Sequence, residues 1–508
     1  MDPLIEFVED DEALVSTTKI IPAPAPPPHL PPTRTTTGRL VVVDLNWYHS
    51  SGDFTKRLSL LFIVPKAPIS SPSQPLAGAH AIHDWSYPST TTNSHATTPT
   101  TEGPTRNELY NINEPSSASR RLIHLLIAAA EAISGDQKSP HLARVILVRL
   151  REIIPTDHAS ASGIERLASH FTEALLALLD NPHQPATPTG EVLIAFKLLH
   201  DMSPCVSFGH LTANQAILEA IAGERRVHIL DYNIGEGVQW ASLIQALISK
   251  SSPAAPHLRI TALTNGIKGS ASGAQEVGRR LSAFAASVGQ PFSFRICRLD
   301  HTKRFTPAAI KVVKGEALVV NCVLQPAQLS SSASLTSFLT GAAALGPRIL
   351  TIIEEESSPS VARAERGFVS EFMDEVERYM AIWESLETGF PMQGRVREMV
   401  ERVILRPRIA EAVARAYGRQ DGGEVAVERC GDWMAAVGFE RLELSSFNVC
   451  QAQLLIGLFN DGFCVDKDSP NKLALRWKSR RLLSASVWGL PPPPRTSGFT
   501  PFRREQRN

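Results

Sequence analysis

Of 508 residues, six are cysteine, at positions 205, 297, 322, 430, 450 and 464. No two have C-x2-C or C-x4-C spacing, and neither His210 nor His228 is placed as a further ligand. A disulfide framework and a structural zinc site are therefore excluded, and no metal is expected. Net charge is also lacking, since 51 Lys and Arg balance 51 Asp and Glu. That excludes a protein held to nucleic acid by bulk charge but leaves room for a local basic patch. No run of about 18 apolar residues occurs, so no membrane span is expected. The opening MDPLIEFVEDDEAL is acidic and has no basic stretch ahead of an apolar run, unlike a secretory signal. A reducing compartment, cytosol or nucleus, is expected.

Proline, by contrast, is concentrated. Residues 1–114 hold 15 of the 37 prolines. IIPAPAPPPHLPP (20–32) reads as polyproline II, and the Ser/Thr/Pro-rich stretches around 70–75 and 89–105 cannot build a core. We expect 1–114 to be disordered, with two islands. RLVVVDLNWYH (39–49) with LSLLFIVP (58–65) has the makings of a hairpin, and IHDWSY (82–87) is an aromatic–acidic patch. The segment 491–508 reads as a second unstructured tail.

Between the tails, 115–490 has globular patterning. Segments 119–133, 141–154 and 163–179 repeat apolar residues at helical spacing, bounded by Pro140, Pro155 and Pro182. Leucine-rich amphipathic helices in series make a bundle or a dimer surface. Leu122, Leu126, Leu142, Leu150, Leu175 and Leu179 are read as core, with any exposed row as interface. From about 225 the period changes. VHILD (227–231), LRITALT (258–264), FSFRIC (292–297), EALVVNCVL (316–324) and RILTIIE (348–354) are short β-branched runs. Helical segments at 238–250, 272–288 and 328–340 separate them. This alternation predicts an α/β, Rossmann-like, mostly parallel sheet covered by helices on both faces. Helices are expected at 361–387, 395–417 and 426–437. FERLELS (439–445), QLLIGLF (453–459) and LALRWK (473–478) are expected as closing antiparallel strands.

The most pointed segment is RRVHILDYNIGEGVQWASLIQALI (225–248). A buried strand ends in Asp231, a glycine-containing turn follows, and a helix begins near Val238. That is the switch-point arrangement at which α/β folds bind nucleotides. A methyl-donor turn wants an acid and three alternate glycines. Here the pattern is Asp231-x-Asn233-x-Gly235-x-Gly237, with Glu236 adding negative charge. The next strand ends in Thr264 and Asn265 rather than in an acid for a ribose. A methyltransferase-like or other small-molecule site is the alternative this leaves; a structural turn is the reading we carry, with no cofactor. His228 is read as a hydrogen-bonded core histidine, Asp231 as a cap on the turn, and Trp240, Trp477 and Trp488 as packing anchors.

These motifs resemble the plant GRAS family of transcriptional regulators. Val227, His228, Ile229, Leu230 and Asp231 are similar to its VHIID motif, extended by Gly235, Gly237, Gln239 and Trp240. Segment 367–387 resembles its PFYRE region through Phe368, Phe372 and Tyr379, with Trp383 and Glu384 replacing Phe-Asp and Pro407-Arg408 standing where an Arg-Glu pair is common. WKSRRLLSASVW (477–488) resembles its SAW motif, with Trp477, Ser484, Ala485, Ser486 and Trp488. DYNIGEGVQWASLIQAL (231–247) is most similar to the nodulation-signalling type. The resemblance implies a leucine-rich helical cap (115–225) on an α/β core (226–490) and pairing with another GRAS protein or with itself. It also implies a nuclear site, symbiosis and strigolactone-synthesis genes as targets, and no enzymatic turnover. Segment 395–419 carries seven arginines against three acids. Arg402, Arg406 and Arg408, with Arg476, Lys478, Arg480 and Arg481, are a candidate basic surface for DNA or an acidic partner, or else solvated helix faces. No helix-turn-helix, basic zipper or zinc finger is visible, so DNA contact is expected to be indirect or weak.

Overall fold

The computed structural model describes Leu14–Ile20, Gly38–Trp47, Arg57–Pro65 and then residues 117–491, interrupted by short stretches of which 357–366 and 419–429 are the longest. The three N-terminal segments are strands β1 (Leu14–Ile20), β2 (Gly38–Trp47) and β3 (Arg57–Pro65). β2 and β3 pair antiparallel from Gly38↔Pro65 to Asn46↔Arg57. The hairpin read at 39–65 is thus present, and β1 adds a strand against β2. The proline-rich run 21–32, the 82–87 patch and 492–508 lie outside the described residues.

Five helices follow: α1 (Ser117–Ser134), α2 (Pro140–Ile153), α3 (Gly163–Asp180), α4 (Thr189–Met202) and α5 (Pro204–Ala220). Ser139 caps α2 and Pro140 opens it, where a missing N–H removes nothing from the ladder. Ser203 and Pro204 do the same for α5, which separates it from α4. The alternation read beyond 225 then appears as β4 (Arg226–Asp231), α6 (Val238–Lys250), β5 (His257–Thr264), α7 (Ser270–Ser287), β6 (Phe292–Arg298), β7 (Ala317–Leu324), α8 (Ser332–Ala344) and β8 (Ile349–Glu355). Helices α9 (Phe368–Gly389), α10 (Gly394–Val400), α11 (Arg406–Gly418) and α12 (Cys430–Val437) come next. The chain closes with β9 (Glu440–Arg441), α13 (Ser446–Ile456), β10 (Phe463–Ser469), β11 (Lys472–Trp477) and β12 (Arg480–Gly489).

The large sheet has the order β10-β11-β12-β8-β7-β4-β5-β6, with β9 on β12. Strands β4 to β8 are parallel. β12 enters antiparallel beside β8. β4, β5 and β7 are buried almost throughout, as strands covered on both faces must be.

Two expected strands are corrected. QLLIGLF is largely helical, because Ser445 accepts from Asn448 N–H and starts α13, which buries Ala452 and Leu455 while Leu454 and Leu458 face solvent. FERLELS yields only the two-residue β9. The single helix expected over 395–417 is broken at Glu401–Leu405 by a π-helical turn. Pro407 has no N–H to donate to the i−4 carbonyl, and Arg406 N–H instead reaches Glu401 O, five residues back. The cap also draws on more of the chain than 115–225. Phe368, Phe372, Tyr379, Trp383, Ile409 and Val413 share one apolar cluster with Leu122, Leu126, Leu150, Phe171 and Leu175. Among the leucines read as core, Leu142 is exposed, and with Val145 and Val148 it forms an open row on α2 (51, 54 and 52% exposed).

Candidate functional site

The sheet reverses order between β4 and β7, so the connections leaving their C-terminal ends diverge and open a crevice. The turn leaving β4 needs Gly235 at φ +50° and Gly237 at φ +77°, the left-handed region. At Gly237 a side chain would also collide, since a Cβ there lies 2.7 Å from Val277 Cγ1.

Asp231 ends β4 with no exposed surface. Its Oδ2 accepts from Trp240 Nε1 at 2.6 Å. Its Oδ1 accepts from Asn233 N–H at 3.2 Å and Asn321 Nδ2 at 3.3 Å. Burial lifts this carboxyl from 3.8 to about 6, against the pull of those three donors, Trp240 foremost. Asn321 Oδ1 in turn accepts from Gln239 Nε2 at 3.1 Å and Thr351 Oγ1 at 2.8 Å. Asn214 Nδ2 donates to Gln239 O at 2.9 Å. The carboxylate at the mouth of the turn is thus held by the protein's own donors. Asn233, in place of a glycine, donates from Nδ2 to Val323 O across the crevice at 3.3 Å. Glu236 pairs with Arg280 at 3.1 Å. Thr264 is buried at the end of β5. The sequence had pointed to Asp231 and Trp240; their partners Asn321, Asn214 and Thr351 sit in apolar runs with nothing local to single them out.

His228, inside β4, is held on both ring nitrogens. Arginine can only donate, so Nδ1 accepts from Arg259 at 2.9 Å and Nε2–H donates to Thr261 Oγ1 at 2.8 Å. Burial, and then Arg259, lowers its pKa to about 4, so it is neutral at cellular pH.

The PFYRE residues lie on one side of α9. Phe372 meets Phe171 edge-on at 5.6 Å and Phe368 meets Tyr417 edge-on at 5.5 Å. Trp383 stands 5.6 Å from His170. The SAW residues line β11 and β12. Trp477 packs edge-on to Phe463 at 4.8 Å and donates to Glu384 Oε2 at 3.0 Å. Ser484 donates to Glu354 at 3.2 Å, Trp488 Nε1 donates to Ser486 Oγ at 2.9 Å, and Ala485 is buried in the sheet. Glu384, where the family carries Asp, therefore ties α9 to the last hairpin.

Each of the seven residues of the candidate basic surface faces a carboxylate. Arg402 pairs with Glu191, Arg406 with Glu173, Arg408 with Glu355 and Lys478 with Glu384. Arg476 pairs with Asp466, Arg480 with Glu377 and Arg481 with Asp468. All seven acids lie outside the arginine-rich window, at 173, 191, 355, 377, 384, 466 and 468.

The crevice encloses a cavity of about 140 Å³ between the β4 turn, the ends of β7 and β8, the start of α5, and α9. Its wall is apolar, with Val206, Ile234, Ile382 and Leu483, and its polar end holds Glu355, Arg378 and Arg408. Glu355 accepts from Arg378 at 2.7 Å and from Arg408 at 3.0 Å. Burial pushes its carboxyl up, but Arg408, Arg378 and Arg415 together hold it below the ordinary range. Burial pushes the neighbouring Tyr379 phenol up to about 12. Among the described residues no group of three or more His, Cys, Asp or Glu is arranged to hold a metal ion.

The GRAS domain family matches residues 122–489. The chain belongs to the GRAS family. It is 53% identical over 390 residues to Protein NODULATION SIGNALING PATHWAY 2 of Lotus japonicus, covering 72% of this chain and 76% of that protein. It is 51% identical to the protein of the same name from Medicago truncatula over 73% and 76% of the two chains. Scarecrow-like protein 26 of Arabidopsis thaliana is 46% identical over 73% and 78%. The crystal structure of SCL7 in Oryza sativa matches with TM-score 0.58 at 30% identity, covering 72% of this chain and 99% of that one. The GRAS fold read from the VHIID, PFYRE and SAW segments is thereby established.

Proposed function

We propose that this GRAS protein regulates transcription in root symbiosis signalling, nodulation and mycorrhiza, and in control of strigolactone-synthesis genes. It works by pairing with another GRAS protein or with itself. The observation that carries the reading is identity above 50% with two nodulation-signalling proteins across the whole matched region. We place it in the nucleus, with passage through the cytoplasm. It meets promoter DNA through its partner or weakly, and compensation of the seven basic residues supports that. We assign no catalysis and no cofactor to the turn. The support is that Asp231 is committed to Trp240, Asn321 and Asn233. We keep 1–114 as a region apart, 115–490 as the working GRAS domain and 491–508 as a tail. The pairing surface is the cap, where Leu142, Val145 and Val148 form an exposed apolar row.

The test uses the full-length protein. Changing Leu142, Val145 and Val148 together to Glu should leave thermal unfolding within about 1 kcal/mol of wild type, as surface substitutions do. It should abolish capture of a GRAS partner from root extract and reporter activation in the partner's presence. Retained capture would remove the cap row, and failure of the wild-type protein to capture any GRAS partner would sink the pairing reading.

A further inference from the structure

We propose that the crevice cavity binds a compact monocarboxylate, its apolar body against Val206, Ile234, Ile382 and Leu483 and its carboxylate on Arg378. This goes beyond the transcriptional reading and does not depend on it. The volume, about 140 Å³, is near that of an engineered apolar cavity that takes up benzene, which sets the body at about six heavy atoms. Arg378 is 3% exposed and lines the cavity.

Charge selects the acceptor. Three guanidiniums, Arg378, Arg408 and Arg415, contact two carboxylates, Glu355 and Glu375. The nearby Glu411 is exposed, so the buried end keeps one surplus positive charge that an anionic oxygen would balance. The π-helical turn contributes as well, since it hands on directly to Arg406–Gly418 and both Leu405 and Arg408 line the cavity. Such turns recur at functional sites. A whole nucleoside-bearing methyl donor is too large for this volume, and no described residue of β5 lines it.

The experiment titrates full-length protein with benzoate by calorimetry and ligand-observed NMR, with benzamide as the neutral match and S-adenosylhomocysteine as the nucleoside arm. We expect benzoate to bind with sub-millimolar Kd, benzamide at least about tenfold more weakly, as the loss of a charge-assisted bond requires, and S-adenosylhomocysteine not at all. Val206→Phe fills the cavity and should abolish benzoate binding with little change in melting temperature. Arg378→Lys should weaken it by more than about tenfold, because a point charge replaces the fork. The proposal is overturned by no benzoate binding, by benzamide binding equally well, by undiminished binding to folded Val206→Phe, or by S-adenosylhomocysteine competing at the site. If neither variant folds, benzoate against benzamide on wild type decides.

Discussion

Trp240→Phe removes one indole N–H from a wholly buried pair and leaves a ring in the same space. The lost bond runs to a carboxylate at 2.6 Å. Hydrogen bonds to charged groups contribute about 1.5–3 kcal/mol. The smaller ring forfeits about 1–2 kcal/mol more in burial and packing. The sum is about 3–5 kcal/mol, or roughly 4–6 °C in a domain this large. The loss depends on pH in a direction that follows from Asp231. The folded protein holds this proton up to about pH 6, whereas the ordinary value is 3.8. Between those values the folded state binds more protons than the unfolded one, so ionisation of Asp231 lowers stability as pH rises, by on the order of 2–3 kcal/mol. Trp240 is the strongest of the donors that oppose this shift. Without it the folded carboxyl holds its proton to a still higher pH, and the window of falling stability lengthens upward. Urea unfolding of both proteins at pH 5 and pH 7.5 should therefore give a larger difference at pH 7.5. Equal differences at the two pH values, or a drop under about 2 °C, would refute the buried-carboxylate argument.

Gly237→Ala should destabilise more than Gly235→Ala. Both meet left-handed strain of about 1–2 kcal/mol, but only at 237 does the new methyl press on Val277, adding about 1–3 kcal/mol. Thermal melts in the reverse order would contradict this. Gly462→Ala should lower the urea midpoint by the equivalent of about 2–3 kcal/mol, because its Cβ would run into the Trp477 ring. An unchanged midpoint would mean that Trp477 is free to move. A chain beginning at Pro115 should melt cooperatively within about 10 °C of the full-length protein, and a larger fall would show that residues 14–65 support the core.

Legibility in the sequence tracked local pattern. α6 was read at the limits it adopts, because an apolar strand, two glycines and a helix period adjoin one another there. The GRAS motifs carried the family because each is contiguous. What failed was non-local. QLLIGLF is apolar enough for a strand, and only the Ser445 cap and the packing of Ala452 and Leu455 decide for a helix. The arginines of 395–419 left a basic surface and solvated helix faces both open, because their acids, at 173, 191 and 355, lie up to hundreds of residues away. Arg378 is written as one more charge in an acidic helix, and only its 3% exposure marks it as the polar end of a cavity.

The place of β12 bears on how the chain is made. β12, the last strand among the described residues, is hydrogen-bonded between β8 and β11 and so sits within the sheet, not at its rim. Until it arrives, β8 has a bare edge and the β10–β11 pair has nothing to join. A stop codon between Glu355 and Arg480 should therefore leave more than a shortened protein: it should expose an open parallel edge primed to pair with other chains. Alleles that lose only the final few dozen residues are expected to behave as aggregation-prone nulls, as severe as alleles that lose half the gene.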